Sequence, residues 1–115
     1  MTIPRRRKHN STKVKEANRF PGHRAWVRGH ACCVPGCEDV PIEASHVRVG
    51  TGGGMAHKPH DKWVISLCRG HHTEQHRIGE PPFEARYGIS MKALATEFAA
   101  RSPHRFKWLE AENDE

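Results

Sequence analysis

The stretch Leu67-Cys68-Arg69-Gly70-His71-His72-Thr73-Glu74-Gln75-His76 decides how this chain is read. Cys68 and His71 have two residues between them, a chelating spacing typical of structural zinc. His72 and His76 are four apart, so on a helix they lie one above the other on a single face. Adjacent His71 and His72 cannot both point into one compact site, which assigns them to two different metal ions. The run just ahead, Trp63-Val64-Ile65-Ser66-Leu67, reads as a short strand with Trp63, Ile65 and Leu67 on one face. The helix is expected from about His72 to Arg77 and should stop near Gly79 and Pro81-Pro82.

Upstream, Cys32-Cys33-Val34-Pro35-Gly36-Cys37 is a tight turn bounded by cysteines, with Pro35-Gly36 as its corner. Together with Cys68 and His71 it predicts a zinc site of Cys32, Cys37, Cys68 and His71. Cys33 is the alternative to Cys32, although Cys32 leaves the fuller knuckle around the turn. Next, Val40-Pro41-Ile42-Glu43-Ala44-Ser45-His46-Val47 reads as a strand antiparallel to the one before Cys68. His46 closes that strand and faces His72 and His76 if the helix packs across the hairpin. Residues 48–62 form the connecting loop, with Gly50, Gly52, Gly53 and Gly54 ahead of Lys58-Pro59-His60-Asp61-Lys62. No Gly-Lys-Ser/Thr follows the glycines, so this is not a nucleotide-binding P-loop.

The totals narrow the class. At 115 residues with 36% hydrophobic content, one domain with a thin core is expected, and a metal staple helps such a core fold. The formal net charge is +6, and its surplus sits in the first 30 residues, where nine Lys or Arg face the single acid Glu16. A basic arm of this kind favours a polyanion, with attraction that falls steeply with salt. No apolar run approaches a membrane span, and no apolar segment follows Arg5-Arg6-Arg7-Lys8, which argues against a secretory signal. Ten histidines interleaved with four cysteines point to metal sites in a reducing compartment rather than to disulfides. Residues 23–29 make a short helical turn or an extended segment in which Trp26 and Val27 are packing residues. In the tail, Ser90 caps a helix with the stripe Met91, Leu94, Ala95 and Phe98. Ser102-Pro103 then starts another helix, in which Phe106 and Leu109 follow.

Taken together, Glu43-Ala44-Ser45-His46-Val47, the Gly-rich loop with Lys58 and Asp61, and the Leu67–His76 stretch resemble the HNH endonuclease family, the ββα-metal nucleases. The likeness is to the small zinc-knuckle branch found in phages and prophages, and it covers about residues 31–79, under half of the chain. It implies an α+β fold: a ββα-metal core with a structural zinc knuckle and flanking helices. The expected organisation is a basic, largely flexible arm over 1–22, the nuclease domain over 23–89 and a helical extension over 90–115. The resemblance makes His46 the general base and gives a catalytic Mg²⁺, Mn²⁺ or other transition ion to His72 and His76. Glu43 and Asp61 are auxiliary. Arg48, Lys58, Lys62, Arg69 and Arg77 are candidates for contact with the DNA backbone. Three positions depart from the family pattern. Ser45 stands where many relatives place a metal ligand, Trp63 falls near the family's asparagine, and His71 replaces a common cysteine. The expected activity is hydrolysis of double-stranded DNA, one strand nicked per protomer, by a monomer or weak homodimer in the cytoplasm of a bacterial or phage-infected cell. The alternative is a non-catalytic, zinc-stabilised module that binds nucleic acid. A third reading is a protein-interaction module that uses the stripe Met91, Leu94 and Phe98.

Overall fold

A computed structural model describes residues 18–51 and 59–113. Most of the basic arm, Gly52, Gly53, Gly54 and Lys58 lie outside the described residues. In chain order the elements are α1 (Pro21–Arg28), β1 (Ile42–His46), β2 (Val64–Cys68), α2 (Arg69–Ile78), α3 (Glu80–Tyr87), α4 (Met91–Arg101) and α5 (Arg105–Asn113). The architecture is α+β, an antiparallel hairpin followed by helices. Ile42 pairs with Cys68 and His46 with Val64, so the hairpin brings the end of β1 to the start of β2.

The strands fall where the apolar runs lie, each shorter than or offset from its expected span. Trp63 lies just before β2 rather than in it. Its carbonyl accepts the Val47 N–H at 2.8 Å, and its ring is partly buried against the core. Every residue of β2 is buried, because α1, α2 and α4 all pack against it. Val47, Ile65, Leu67, Phe83, Met91 and Ala95 form the centre of that core.

Helix α2 begins three residues earlier than its sequence pattern implies. Cys68 is extended (φ -65°, ψ 160°), and its Sγ accepts the His71 N–H at 3.4 Å, so a cysteine acts as the N-cap. Gly70 conceals this start, since glycine weakens helical periodicity without forbidding a first turn. The chain does not leave helical structure at Pro81-Pro82. Gly79, at φ 91°, ends α2, and both prolines sit in the first turn of α3, where backbone N–H groups have no intrahelical partner. The α3 helix is thus an addition to the sequence reading.

Ser90 caps α4 as expected, accepting the Ala93 N–H at 3.2 Å. Met91 and Ala95 are fully buried, with Leu94 and Phe98 packed against them. Ser102 does not start the last helix. It makes a turn, accepting the His104 N–H on its hydroxyl and the Arg105 N–H on its carbonyl, and α5 begins at Arg105. In that helix Trp108 is the residue that turns inward, while Phe106 and Leu109 are exposed. Trp108 packs edge-on against His23 and Phe20, which joins the end of the fold to α1. No helix among the described residues is long and apolar enough to cross a membrane.

His23 is wholly buried under that lid, with Nδ1 2.8 Å from the Ser102 hydroxyl. Burial, helped by the nearby His104, pushes its pKa down from 6.5 to about 4. The folded ring stays neutral while the unfolded chain takes up a proton below about pH 6.5. Stability should therefore fall as pH drops from about 6.5 towards 4, by up to roughly 3 kcal/mol. Urea unfolding of wild type and His23→Gln across this window checks it. The two chains share every other titrating group, so the variant should lose less stability over the window. Parallel curves would remove His23 as the cause.

Candidate metal centre and catalytic cleft

The cysteine turn is closed by the Cys37 N–H donating to the Val34 carbonyl at 3.0 Å, with Gly36 at φ 79° supplying the left-handed corner. It delivers Cys32 and Cys37 to the point where β2 gives way to α2, carrying Cys68 and His71. One ligand atom from each of these four residues lies within 4.8 Å of all the others. Cys37 Sγ and Cys68 Sγ are 3.9 Å apart, and His71 Nδ1 is 3.5 Å from Cys32 Sγ and 3.2 Å from Cys68 Sγ. A tetrahedron of Zn–S and Zn–N bonds requires edges of about 3.8 Å between sulfurs and about 3.6 Å from sulfur to nitrogen. The donor set and its spacing are consistent with structural zinc.

Cys33 stands outside this cluster. The Cys33 N–H donates to the Ser66 carbonyl at 2.8 Å, and its Sγ lies 3.5 Å from the Ser66 hydroxyl. Burial pushes its thiol up from the ordinary range, against the hydrogen bonds from Ser66, so it is a poor thiolate. The choice that the spacing left open thus falls on Cys32. The α3 helix, absent from the sequence reading, shields the cluster: His71 meets the rings of Tyr87 and Phe83 edge-on, and the Tyr87 hydroxyl donates to Glu74.

The second histidine group lines a cleft of about 400 Å³, whose walls include His46, Arg48, His72, Gln75, His76 and Glu80. His72 and His76 share one face of α2, as the interval of four requires. The His72 Nδ1–H donates to Glu43 Oε1 at 2.7 Å. Glu43 is held below the usual carboxylate range, chiefly by this bond and then by Arg69. With Nδ1–H donated to Glu43, Nε2 is the acceptor nitrogen of the neutral ring. His76 Nε2 faces it at 3.1 Å. That separation suits an N–H···N hydrogen bond. It also suits two adjacent corners of an octahedral ion, which stand about 3.0 Å apart for bonds of about 2.1 Å. Among the described residues no third Cys, His, Asp or Glu ligand joins this pair.

His46 is fixed differently. Its Nε2–H donates to Asp61 Oδ1 at 2.8 Å, and Asp61 is only 3% exposed. Burial pushes the Asp61 carboxyl up. The hydrogen bonds from His46 and the Phe20 amide, with the Arg24 charge, outweigh it and hold the group below its ordinary range. Asp61 is thus a partner of the histidine rather than of the metal pair. Ser45 is fully buried with its hydroxyl 3.5 Å from Gln75 Oε1, so it joins β1 to α2.

The basic residues divide. Arg48 lines the cleft. Lys62 stands over the Trp63 ring at 5.3 Å. Arg69 is paired with Glu43 at 3.2 Å, and Arg77 approaches Glu74 at 4.0 Å. Sequence reasoning missed Glu80, which is nearly buried and accepts the Arg48 N–H at 3.0 and 3.1 Å and the Val49 N–H at 3.0 Å. It pins the turn that leaves His46. The only sequence signal was an acid opening a Pro-rich helix start, which says nothing of a partner 31 residues away.

A family model described as "Protein of unknown function (DUF968)" matches residues 1–102, a span that holds both histidine groups and all four cysteines. The uncharacterized protein YdfU of Escherichia coli (strain K12) is 35% identical over 95 residues, covering 82% of this chain and 24% of that relative. The chain therefore spans about a quarter of the length of that protein. No solved structure matches. On the family match and the identity to YdfU, the chain belongs to the DUF968 family.

Proposed function

We propose that this chain is a metal-dependent DNA endonuclease of the HNH, ββα-metal type, built on a structural zinc. One observation carries the reading: a single cleft collects a histidine oriented by a buried carboxylate and a second histidine pair whose Nε2 atoms face each other at 3.1 Å. A module that only binds nucleic acid has no use for either arrangement, and the zinc cluster alone serves its stability.

The chemistry follows from these groups. His46 gives its Nε2–H to Asp61, so Nδ1 is the ring's proton acceptor, able to take a proton from the attacking water. Asp61 stabilises the imidazolium that results. His72 and His76 would hold the divalent ion, with Glu43 orienting His72 from behind. When bound, that ion supplies Lewis-acid stabilisation of charge on the phosphate and on the departing 3′ oxygen. Two imidazole ligands favour Mn²⁺ or another transition ion over Mg²⁺. Arg48, on the cleft wall, meets the phosphate charge, and the basic surplus of the first 30 residues attracts the double-stranded DNA backbone. This single set of groups would nick one strand at a time.

Zinc at Cys32, Cys37, Cys68 and His71 stabilises the fold, since its binding free energy is folding free energy. Cys32→Ser and Cys68→Ser should lose bound zinc and cooperative thermal unfolding, whereas Cys33→Ser should keep one zinc per chain. Metal analysis with thermal melts checks this, and zinc loss in Cys33→Ser alone would reverse the assignment.

His46→Ala should keep zinc and the melting temperature but lower metal-dependent nicking of supercoiled plasmid by about 10²–10⁴-fold. Nicking at the wild-type rate would remove His46 as the base. Absence of open-circle product with Mg²⁺, Mn²⁺ and Ni²⁺, alongside retained DNA binding, would reject the nuclease reading in favour of a binding module.

A further inference from the structure

Asp61 is held from an unexpected direction. Its Oδ1 accepts from His46, while its Oδ2 accepts the Phe20 N–H at 2.7 Å and lies 3.2 Å from Arg24 Nε. Its own N–H donates to the Asn18 carbonyl at 2.9 Å. Three of these four contacts come from residues 18–24, where α1 starts, a segment to which the sequence pattern gives no chemistry. Simple anchoring of α1 needs only Oδ2. It leaves unexplained why the other oxygen of the same buried carboxylate goes to a histidine on the cleft wall.

We infer that Arg24, with the Phe20 amide, is a positioning group for His46, acting through Asp61. A carboxylate 3% exposed is costly to keep charged unless a cation and donors surround it. Arg24 and Phe20 meet that need on one oxygen, which leaves the other a fixed, charged acceptor. A fixed acceptor holds the imidazole in one rotamer with its proton on Nε2. Without Arg24 the carboxylate is free to tilt or to take up a proton, and the ring loses its restraint. The catalytic unit on this account begins at Asn18 rather than at the cysteine turn. Its kinetic half rests on the nuclease reading; its structural half does not.

The test uses zinc-loaded, ¹⁵N-labelled full-length chain and two independent readouts. The first is the imidazole N–H resonance of His46, and the second is plasmid nicking with Mn²⁺ across plasmid concentrations. The wild type should show a slowly exchanging Nε2–H signal that is absent in Asp61→Asn. In Arg24→Gln, that signal should broaden or vanish, and kcat should fall about 10-fold or more with KM little changed, as expected for a misaligned base. Arg24→Lys, which keeps the positive charge beside Asp61, should recover part of both. An unchanged N–H signal in Arg24→Gln overturns the inference. So does a change confined to KM, which would make Arg24 a contact to the DNA backbone. If Arg24→Gln fails to hold zinc, Arg24→Lys decides: a fold with the wild-type N–H signal and kcat supports charge positioning, and a fold that has lost neither zinc nor melting temperature but lacks the signal restricts the role to the guanidinium. A folded Arg24→Lys with a wild-type signal but kcat as low as Asp61→Asn overturns it. Should no variant or wild type nick DNA, the nuclease reading fails, and the N–H signals alone still judge whether Arg24 orients His46.

Discussion

Four ligand atoms, from Cys32, Cys37, Cys68 and His71, converge where β2 ends and α2 begins. The placement of His72 and His76 in the cleft depends on that junction. Cys68 is at once the last residue of β2, the N-cap of α2 and a member of the cluster. His71 is held in the first turn of the same helix, so the orientation of α2 against the hairpin is fixed from its N-terminus. His72 follows directly and His76 one turn later. A small chain with few large buried side chains has limited means of holding a helix at a defined angle by packing alone. A zinc ion bound there would contribute folding free energy on the order of 10 kcal/mol, comparable to the whole net stability of a domain.

Around this junction the acids do the arranging. Glu43 reaches His72, Asp61 reaches His46, Glu80 receives the turn after β1, and Glu74 ties α2 to Tyr87 and Arg86 of α3. In each case a carboxylate accepts from a donor on another element. The result separates the two histidine groups by chemistry. His46 is bound to a buried aspartate through Nε2, whereas His72 is bound to Glu43 through Nδ1 and faces His76 with Nε2. Identical side chains thus acquire different hydrogen-bonding states from their partners.

The elements outside the hairpin and α2 also bear on the cleft. Helix α1 grips Asp61, α3 shields the cysteine cluster and contributes Glu80, and α5 closes over His23 with Trp108. The region resembling a small nuclease motif is therefore supported from both ends of the described chain. The family match over residues 1–102 includes α1 through α4, in keeping with a unit larger than the motif.

What the sequence determined is what is local. A two-residue interval made Cys68 and His71 a chelating pair, the helical repeat put His72 and His76 on one face, and Ser90 could be recognised as a cap from the residues that follow it. Short apolar runs likewise marked two strands, and a hairpin was the shortest way to join them. Such features depend on backbone periods that act over a few residues. Tertiary structure decided the rest. It chose Cys32 over Cys33 by which thiol turned towards His71, made a helix start of Pro81-Pro82, and turned Trp108 rather than Phe106 inward. It also brought Arg24 and Phe20 to Asp61 across about 40 residues, a pairing that no periodicity encodes. Such contacts exist only once the core has formed, because an ion pair gains enough to fix a side chain only after packing has removed the water around it.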